Sequence, residues 1–321
     1  MRSRSSVAIG GLAVAAAVLL PAAASAQGPA PKPAKLKLDL DGADGGEVTV
    51  GNRVRIVGRV RPFAPGQKVR VRLARKGKTV RTKVLKVHKL KDKNAGGFRM
   101  RTGSLTRPGS YRLRATKLAT PRQGGARAKA PVFSIHFPDL DPGSSGDVVE
   151  TFNQLLRKRG YYTTDNGAYG SHTQRAVMAF RKANGMSRTW NATPGIFQRI
   201  AAGKGEFDLR YPNAGRHVEV DLARQVMVLA DNGKPQYTFH VSTGTIATPS
   251  DQGGYTFYRR EPGFNNVGMY YSVYYNGGEA IHGYPSVPPY PASHGCIRNP
   301  IPDSVFIYNW VELGMRIWVY V

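Results

Sequence analysis

The chain of 321 residues carries 47 Lys+Arg against 20 Asp+Glu, a formal net charge of +27. That length allows two or three domains. Its single cysteine, Cys296, excludes an internal disulfide framework. Beyond the N-terminal run, no segment is apolar enough to cross a membrane.

The N-terminus reads as an export signal over residues 1–26. Arg2 and Arg4 precede an apolar run over residues 7–20, and Ala24-Ser25-Ala26 offers a cleavage site. The run is shorter than the roughly 20 residues that span a bilayer. No cysteine follows it to carry a lipid, and Arg2-Ser3-Arg4 is not a twin-arginine pair. The mature chain is therefore expected to start near Gln27, in the periplasm or cell wall. Residues 27–34 are Pro-rich and read as an extended linker.

Residues 35–137 change to a period of two. Leu36, Leu38 and Leu40 alternate with polar residues, as do Val69, Val71 and Leu73, and Tyr111, Leu113 and Ala115. Turn signals such as Pro65-Gly66, Gly96-Gly97 and Pro108-Gly109 separate these runs. About seven short strands in this length predict an all-β, immunoglobulin-like sandwich. Residues 28–137 hold 28 Lys+Arg against 5 Asp+Glu, whereas residues 138–321 hold 17 against 15. Arg and Lys occupy the outward positions, for example Arg55, Arg59, Arg70, Arg72, Arg112 and Arg114. A solvated face would be served by mixed charge, but this face is nearly of one sign. The other reading is attraction to a polyanion. For an exported chain that means anionic wall polymers or a membrane surface, and not nucleic acid.

Residues 143–203 switch to helical spacing. Val148, Val149, Phe152, Leu155 and Leu156 form one stripe, with Asp147 and Glu150 placed to cap it and Gly160 to end it. Ser171-x-x-Gln174 reads as a second capping box, and Thr193-Pro194 opens a third short helix that Gly203 stops. A compact three-helix unit follows. The sequence Gly146-Asp147-Val148, Leu155-Leu156, Gly160-Tyr161-Tyr162, then Asp165-x-Gly167-x-Tyr169-Gly170-x-x-Thr173-x-x-Ala176-Val177-x-x-Phe180 resembles the peptidoglycan-binding domain. The resemblance implies a three-helix fold and glycan as partner. The stretch Ser187–Thr193 departs from the Asp-Gly-x-x-Gly turn usual before that family's last helix.

After a linker at 204–214, residues 215–321 return to strands. Val218, Val220 and Leu222 alternate, Val226 to Leu229 form a more buried run, and Asp231-Asn232-Gly233 makes a hairpin turn. A helix is expected over residues 303–313, stopped by Gly314, before a last strand over residues 316–321. The result is a mainly-β C-terminal domain in a multidomain chain.

Cys296 lies in Ser293-His294-Gly295-Cys296-Ile297-Arg298, with His282 fourteen residues before it. A free thiol needs a base, because little thiolate exists at neutral pH. His282 and His294 are the candidates. Gly295 lets backbone N–H groups approach a substrate carbonyl. The bland reading of Cys296 is a buried thiol, and a Cys-His-His zinc site is a further one. No second cysteine or paired histidine supports zinc.

Ile281-His282-Gly283 followed by Ser293-His294-Gly295-Cys296-Ile297-Arg298-Asn299 resembles the signature of the L,D-transpeptidase catalytic domain (the YkuD family). Ser242-Thr243-Gly244-Thr245, Thr248-Pro249 and Trp310-x-x-x-Gly314-x-x-Ile317 are also similar to that family. The resemblance implies Cys296 as nucleophile and His282 as general base, with His294 shaping the site. Gly295, Ser293, Arg298 and Gly283 would form the oxyanion and substrate-binding surroundings. It also implies peptidoglycan stem peptides as substrate, a thioester intermediate, 3→3 cross-links, acylation by carbapenems, and no cofactor or metal. An L,D-carboxypeptidase and a non-catalytic wall-binding protein remain as alternatives.

Overall fold

The computed structural model describes residues 31–91 and 94–321. The signal segment and residues 27–30 of the Pro-rich linker lie outside the described residues. The end of that linker is tied down, since the Gly124 N–H donates to the Lys32 carbonyl at 3.0 Å.

Ten strands precede the first helix: β1 (Lys35–Asp41), β2 (Glu47–Thr49), β3 (Arg55–Arg61), β4 (Lys68–Arg75), β5 (Lys78–Lys86), β6 (His88–Lys89), β7 (Gly96–Arg101), β8 (Ser110–Lys117), β9 (Ala126–Lys129) and β10 (Phe133–His136). They form one sheet in the order β1-β3-β7-β6 and a second in the order β2-β10-β8-β4-β5, with β9 paired to β8. The two-residue period decides which side chains go inside. Ile56, Val60 and Phe98 of the first sheet share a core with Val69, Val71 and Leu113 of the second. Strand β5 was not legible as a strand, because every residue but Leu85 is exposed. Its alternating Val80, Thr82 and Val84 stay exposed, and backbone pairing to β4 defines it.

The helices are α1 (Asp147–Arg157), α2 (Ser171–Ala183) and α3 (Pro194–Ala201). Two expected caps are absent. The residues before α1 and α2 are Gly146 and Gly170, with no side-chain cap bond. Asp165 does that work for α2 from outside the helix, accepting from the Thr173 N–H at 2.8 Å and its hydroxyl at 2.9 Å. A carboxylate at a helix N-terminus satisfies an orphan donor and opposes the helix dipole. Thr193 does cap α3, although its bond to the Ile196 N–H is long at 3.5 Å. The apolar core continues from the strands into these helices through Phe137, Phe152 and Phe197, whose rings meet edge-on.

The remaining elements are β11 (His217–Asp221), β12 (Val226–Asp231), β13 (Lys234–His240), β14 (Gly253–Thr256), β15 (Arg259–Phe264), β16 (Tyr270–Asn276), β17 (Glu279–Tyr284), β18 (Ile297–Pro300), α4 (Ile301–Trp310) and β19 (Arg316–Tyr320). One sheet runs β13-β12-β11-β19-β14 and the other β15-β16-β17-β18. Val220, Leu229, Phe239, Ile281, Ile297 and Ile317 belong to their common core. Helix α4 ends at Trp310, three residues before the expected stop, because Val311 already has extended backbone.

The linker at 204–214 is held against the C-terminal sheet. Tyr211 stacks on Trp318 at 4.7 Å, and the backbone N–H groups of Arg210 and Tyr211 donate to the buried Glu219 carboxylate at 2.9 and 2.8 Å. The helices and the C-terminal sheets are also bolted together. The Thr238 N–H donates to the Gly160 carbonyl at 2.6 Å, and the Tyr162 ring lies 4.4 Å from Phe306. Arg175 of α2 makes a two-bond ion pair with Asp303 of α4, at 2.8 and 2.9 Å.

Candidate active site

Strands β17 and β18 are parallel, with Ile281 opposite Ile297 and His282 opposite Arg298. Both isoleucines point into the core. Side chains alternate along a strand, so His282, Arg298 and, one step before β18, Cys296 project from the opposite face. Strand spacing puts the Cys296 and His282 Cα atoms about 8 Å apart on the diagonal, a span that an imidazole and a thiol can bridge. The site is thus made by pairing two short segments fourteen residues apart in the chain.

His282 is buried, and its Nδ1–H donates to the Gly283 carbonyl at 2.9 Å. That bond fixes the tautomer and leaves Nε2 as the free acceptor. Burial pulls the imidazole down to about 4, with Arg298 adding to the effect against the Gly283 bond. Burial also pushes the Cys296 thiol up, helped by Glu279 and opposed by the Ala280 N–H and Arg298. Both shifts favour uncharged partners. At rest the thiol donates to the Gly278 carbonyl at 3.7 Å, so attack requires its Sγ to turn toward the neutral imidazole and hand over the proton.

The loop before Cys296 is held from several sides. The Ser293 hydroxyl donates to the Cys296 carbonyl at 2.5 Å and accepts from the Gly295 N–H at 3.2 Å. Gly295 has φ +118°, and a Cβ there would lie 2.9 Å from a Glu279 carboxylate oxygen, so only glycine fits. The Ser250 hydroxyl donates to the Gly295 carbonyl at 2.5 Å, and Ser242 exchanges two backbone bonds of 2.9 Å with Arg298. Arg298 donates to the Ala292 carbonyl at 2.9 Å and covers the Tyr284 ring at 4.0 Å. It braces the loop, and no carboxylate pairs with it among the described residues. His294 is exposed beside this loop. Among the described residues no cluster of three or more His, Cys, Asp or Glu side chains could hold a metal ion.

Gly283 is required by packing. A Cβ there would meet the Ser304 hydroxyl of α4 at 2.1 Å and the Ser304 Cβ at 3.1 Å. Gly283→Ala is expected to cost about 2 kcal/mol by overpacking and to displace His282. Adding Ser304→Gly should recover part of that stability, which urea unfolding of the single and double variants would show.

Sequence reasoning missed the support behind the proline-rich loop 285–292. His240 donates from Nε2 to the Val287 carbonyl at 2.9 Å. Its Nδ1 then accepts from the buried Lys182 ammonium of α2 at 2.6 Å, whose other protons go to the Gln225 and Val241 carbonyls. Burial holds both Lys182 and His240 below their ordinary ranges. Arg188 donates to the Pro289 carbonyl, and Trp190 packs edge-on against His240. The stretch Ser187–Thr193, which departs from the peptidoglycan-binding pattern, is thus the part docked on this loop. No local signal could have revealed it, since its partners lie 35 to 101 residues away.

The depressed histidines have a consequence for acid stability. The unfolded state takes up protons near pH 6.5, whereas folded His282 resists protonation until about pH 4. Stability is therefore full above about pH 7 and falls as the pH drops through this window, by about 2 kcal/mol for His282 at pH 5. His240 acts in the same direction. Urea unfolding at pH 7 and pH 5 would measure the loss, and equal stabilities would contradict it.

Comparison with known proteins fits this geometry. Residues 215–320 match the L,D-transpeptidase catalytic domain profile (YkuD). That match spans the C-terminal third of the chain. Residues 145–200 match a peptidoglycan binding domain profile. The crystal structure of the L,D-transpeptidase from Xylanimonas cellulosilytica is similar to 57% of this chain over 98% of its own, at 29% identity and TM-score 0.54. Weaker likenesses are an L,D-transpeptidase from Stackebrandtia nassauensis, at 23% identity, 56% and 94% coverage and TM-score 0.36. Another is one from Mycobacterium smegmatis, at 13%, 90% and 100%, and 0.31. No curated protein matches the chain significantly. The two matches together point to peptidoglycan as the partner and to the cell wall or periplasm as the place of action. No helix among the described residues is long and apolar enough to cross a membrane.

Proposed function

We propose that this protein is a cysteine-dependent L,D-transpeptidase that forms 3→3 cross-links in peptidoglycan. The observation that carries the reading is the placement of Cys296 and His282 on one face of the β17–β18 pair, with His282 Nδ1 fixed to the Gly283 carbonyl. Cys296 Sγ attacks the carbonyl of the third stem residue of a donor tetrapeptide while His282 Nε2 takes the thiol proton. The Cys296 N–H stabilises the oxyanion, because the Gly295 N–H is already engaged by Ser293. The tetrahedral species collapses, the C–N bond breaks, and His282 returns its proton to the departing D-Ala amine. The side-chain amine of a diamino acid on a neighbouring stem then attacks the thioester, His282 takes its proton, the C–S bond breaks, and the proton returns to the Cys296 thiolate. Starting from neutral partners costs no charge burial in the resting site. His294 and Arg298 shape and brace the loop.

The fold supports a division of labour. Residues 35–137 are read as an immunoglobulin-like sandwich and residues 143–203 as a three-helix glycan-binding unit. The bolts at Arg175 and Lys182 make the latter a rigid buttress of the catalytic part. Holding glycan beside the site raises the local concentration of stem peptide.

The test is intact mass of the purified chain after incubation with a carbapenem and with a disaccharide tetrapeptide. One covalent adduct and a dimeric product support the transpeptidase. Tripeptide alone means that water outcompetes the amine, which makes the protein a carboxypeptidase. An unreactive thiol would leave a binding protein.

A further inference from the structure

We propose that the outer face of the β1-β3-β7-β6 sheet is a binding groove for a phosphodiester polymer of the cell wall. A concavity of about 980 Å³ lies between this face and the chain leading from β5 into β6. Five cations line it: Lys37, Arg55, Arg59, Lys86 and Arg99. The one acid in the lining, Asp39, is paired with Lys37 at 3.3 Å. The side chains of Arg59, Lys86 and Arg99 have no hydrogen-bond or ion-pair partner among the described residues.

Strand register turns these charges into a grid. Lys37 sits opposite Arg59, Val57 opposite Arg99, and Arg55 opposite Arg101. Neighbouring strands are about 4.8 Å apart and alternate residues about 6.8 Å apart. Arg55 and Arg59 therefore stand about 13 Å apart on one strand, with Arg99 beside the gap. Charges spread over that distance suit a chain of repeated anions better than one small anion. Leaving three cations unpaired around one groove repels them from each other, and a polyanion relieves that cost. The floor is apolar, formed by the exposed Val57 with Gly97, Leu85 and Leu90. It matches the carbon links between phosphates.

Other polyanions fit less well. Among the described residues of 35–137 the exposed large apolar side chains are Val57, Val80, Val84 and Val132, with no exposed aromatic. Membrane surfaces are met by aromatic and leucine anchors on convex faces, and single-stranded nucleic acid by aromatic stacking platforms. This groove is concave and offers neither. The phosphodiester chemistry rests on the groove alone. That the polymer belongs to the wall rests on the peptidoglycan reading above.

The experiment uses the full chain and poly(glycerol phosphate) as probe, with affinity measured across a salt series. The triple variant Arg59→Gln, Lys86→Gln, Arg99→Gln should bind about tenfold more weakly or worse, with a shallower salt dependence. The control triple Arg70→Gln, Arg72→Gln, Arg112→Gln removes the same charge from the other sheet and should bind like the parent. Equal weakening by the two triples would mean diffuse charge attraction and overturn the groove. So would tighter binding to phosphatidylglycerol vesicles, to polygalacturonate or to single-stranded DNA than to poly(glycerol phosphate). Because both triples leave Cys296 untouched, carbapenem acylation reports separately on the catalytic reading.

Discussion

Cys296→Ala should form no carbapenem adduct and release no D-Ala, a loss of roughly ten-thousand-fold or more in acylation rate. No other thiol exists in the chain to substitute for it. His282→Ala should lose nearly as much acylation for a different reason. Burial raises the Cys296 thiol, so without the imidazole to accept its proton very little nucleophile forms near neutral pH. Its thiol should still be alkylated by iodoacetamide at alkaline pH, which separates a missing base from a damaged fold. In the parent, acylation should hold level as the pH falls from 8 toward 5, since His282 stays unprotonated until about 4. His294→Ala should acylate faster than His282→Ala, because His294 is exposed and His282 holds the fixed tautomer. The reverse order would move the base to His294.

Arg175→Met should destabilise the folded chain by about 3 kcal/mol, the scale for removing one partner of a buried ion pair. The Asp303 side chain is 3% exposed and that of Arg175 11%, so the carboxylate cannot recover its hydration and keeps only His172 Nδ1, at 3.4 Å, as a partner. The effect reaches the active site, because Asp303 lies in the first turn of α4, one residue from the Ser304 that packs on Gly283. Acylation should therefore slow although Arg175 touches no reacting atom. Arg175→Met with Asp303→Leu should be more stable than Arg175→Met alone, since no charge is then left buried. Urea unfolding of the three proteins decides it. A double variant no better than the single would show that the pair matters through packing and not through charge.

The candidate nucleophile and base were legible in the sequence because their chemistry is local. Ser293 to Arg298 is a short contiguous run whose residue types have few other joint uses, and His282 lies within two strands of it. Alternation placed Val69, Val71 and Leu73 inside for a similar reason, since period-two burial depends only on neighbours along one strand. The three helices followed from the same kind of near-neighbour pattern. Strand β5 escaped because its alternating Val80, Thr82 and Val84 are set among basic residues and bury no face. Asp165 escaped as a cap because it reaches α2 from outside the helix. The sign of the His282 and Cys296 shifts was also out of reach, because burial is a property of the packed β17–β18 face. Only the tertiary structure brought Lys182, Arg188 and His240 behind the loop at 285–292, and Arg175 onto Asp303. Those contacts join residues 35 to 128 positions apart. Their strength comes from exclusion of water at an interface that neither segment forms alone. The charge excess of residues 28–137 was plain from composition, but its gathering into one groove depended on strand register and on where β5 and β6 fold across the sheet.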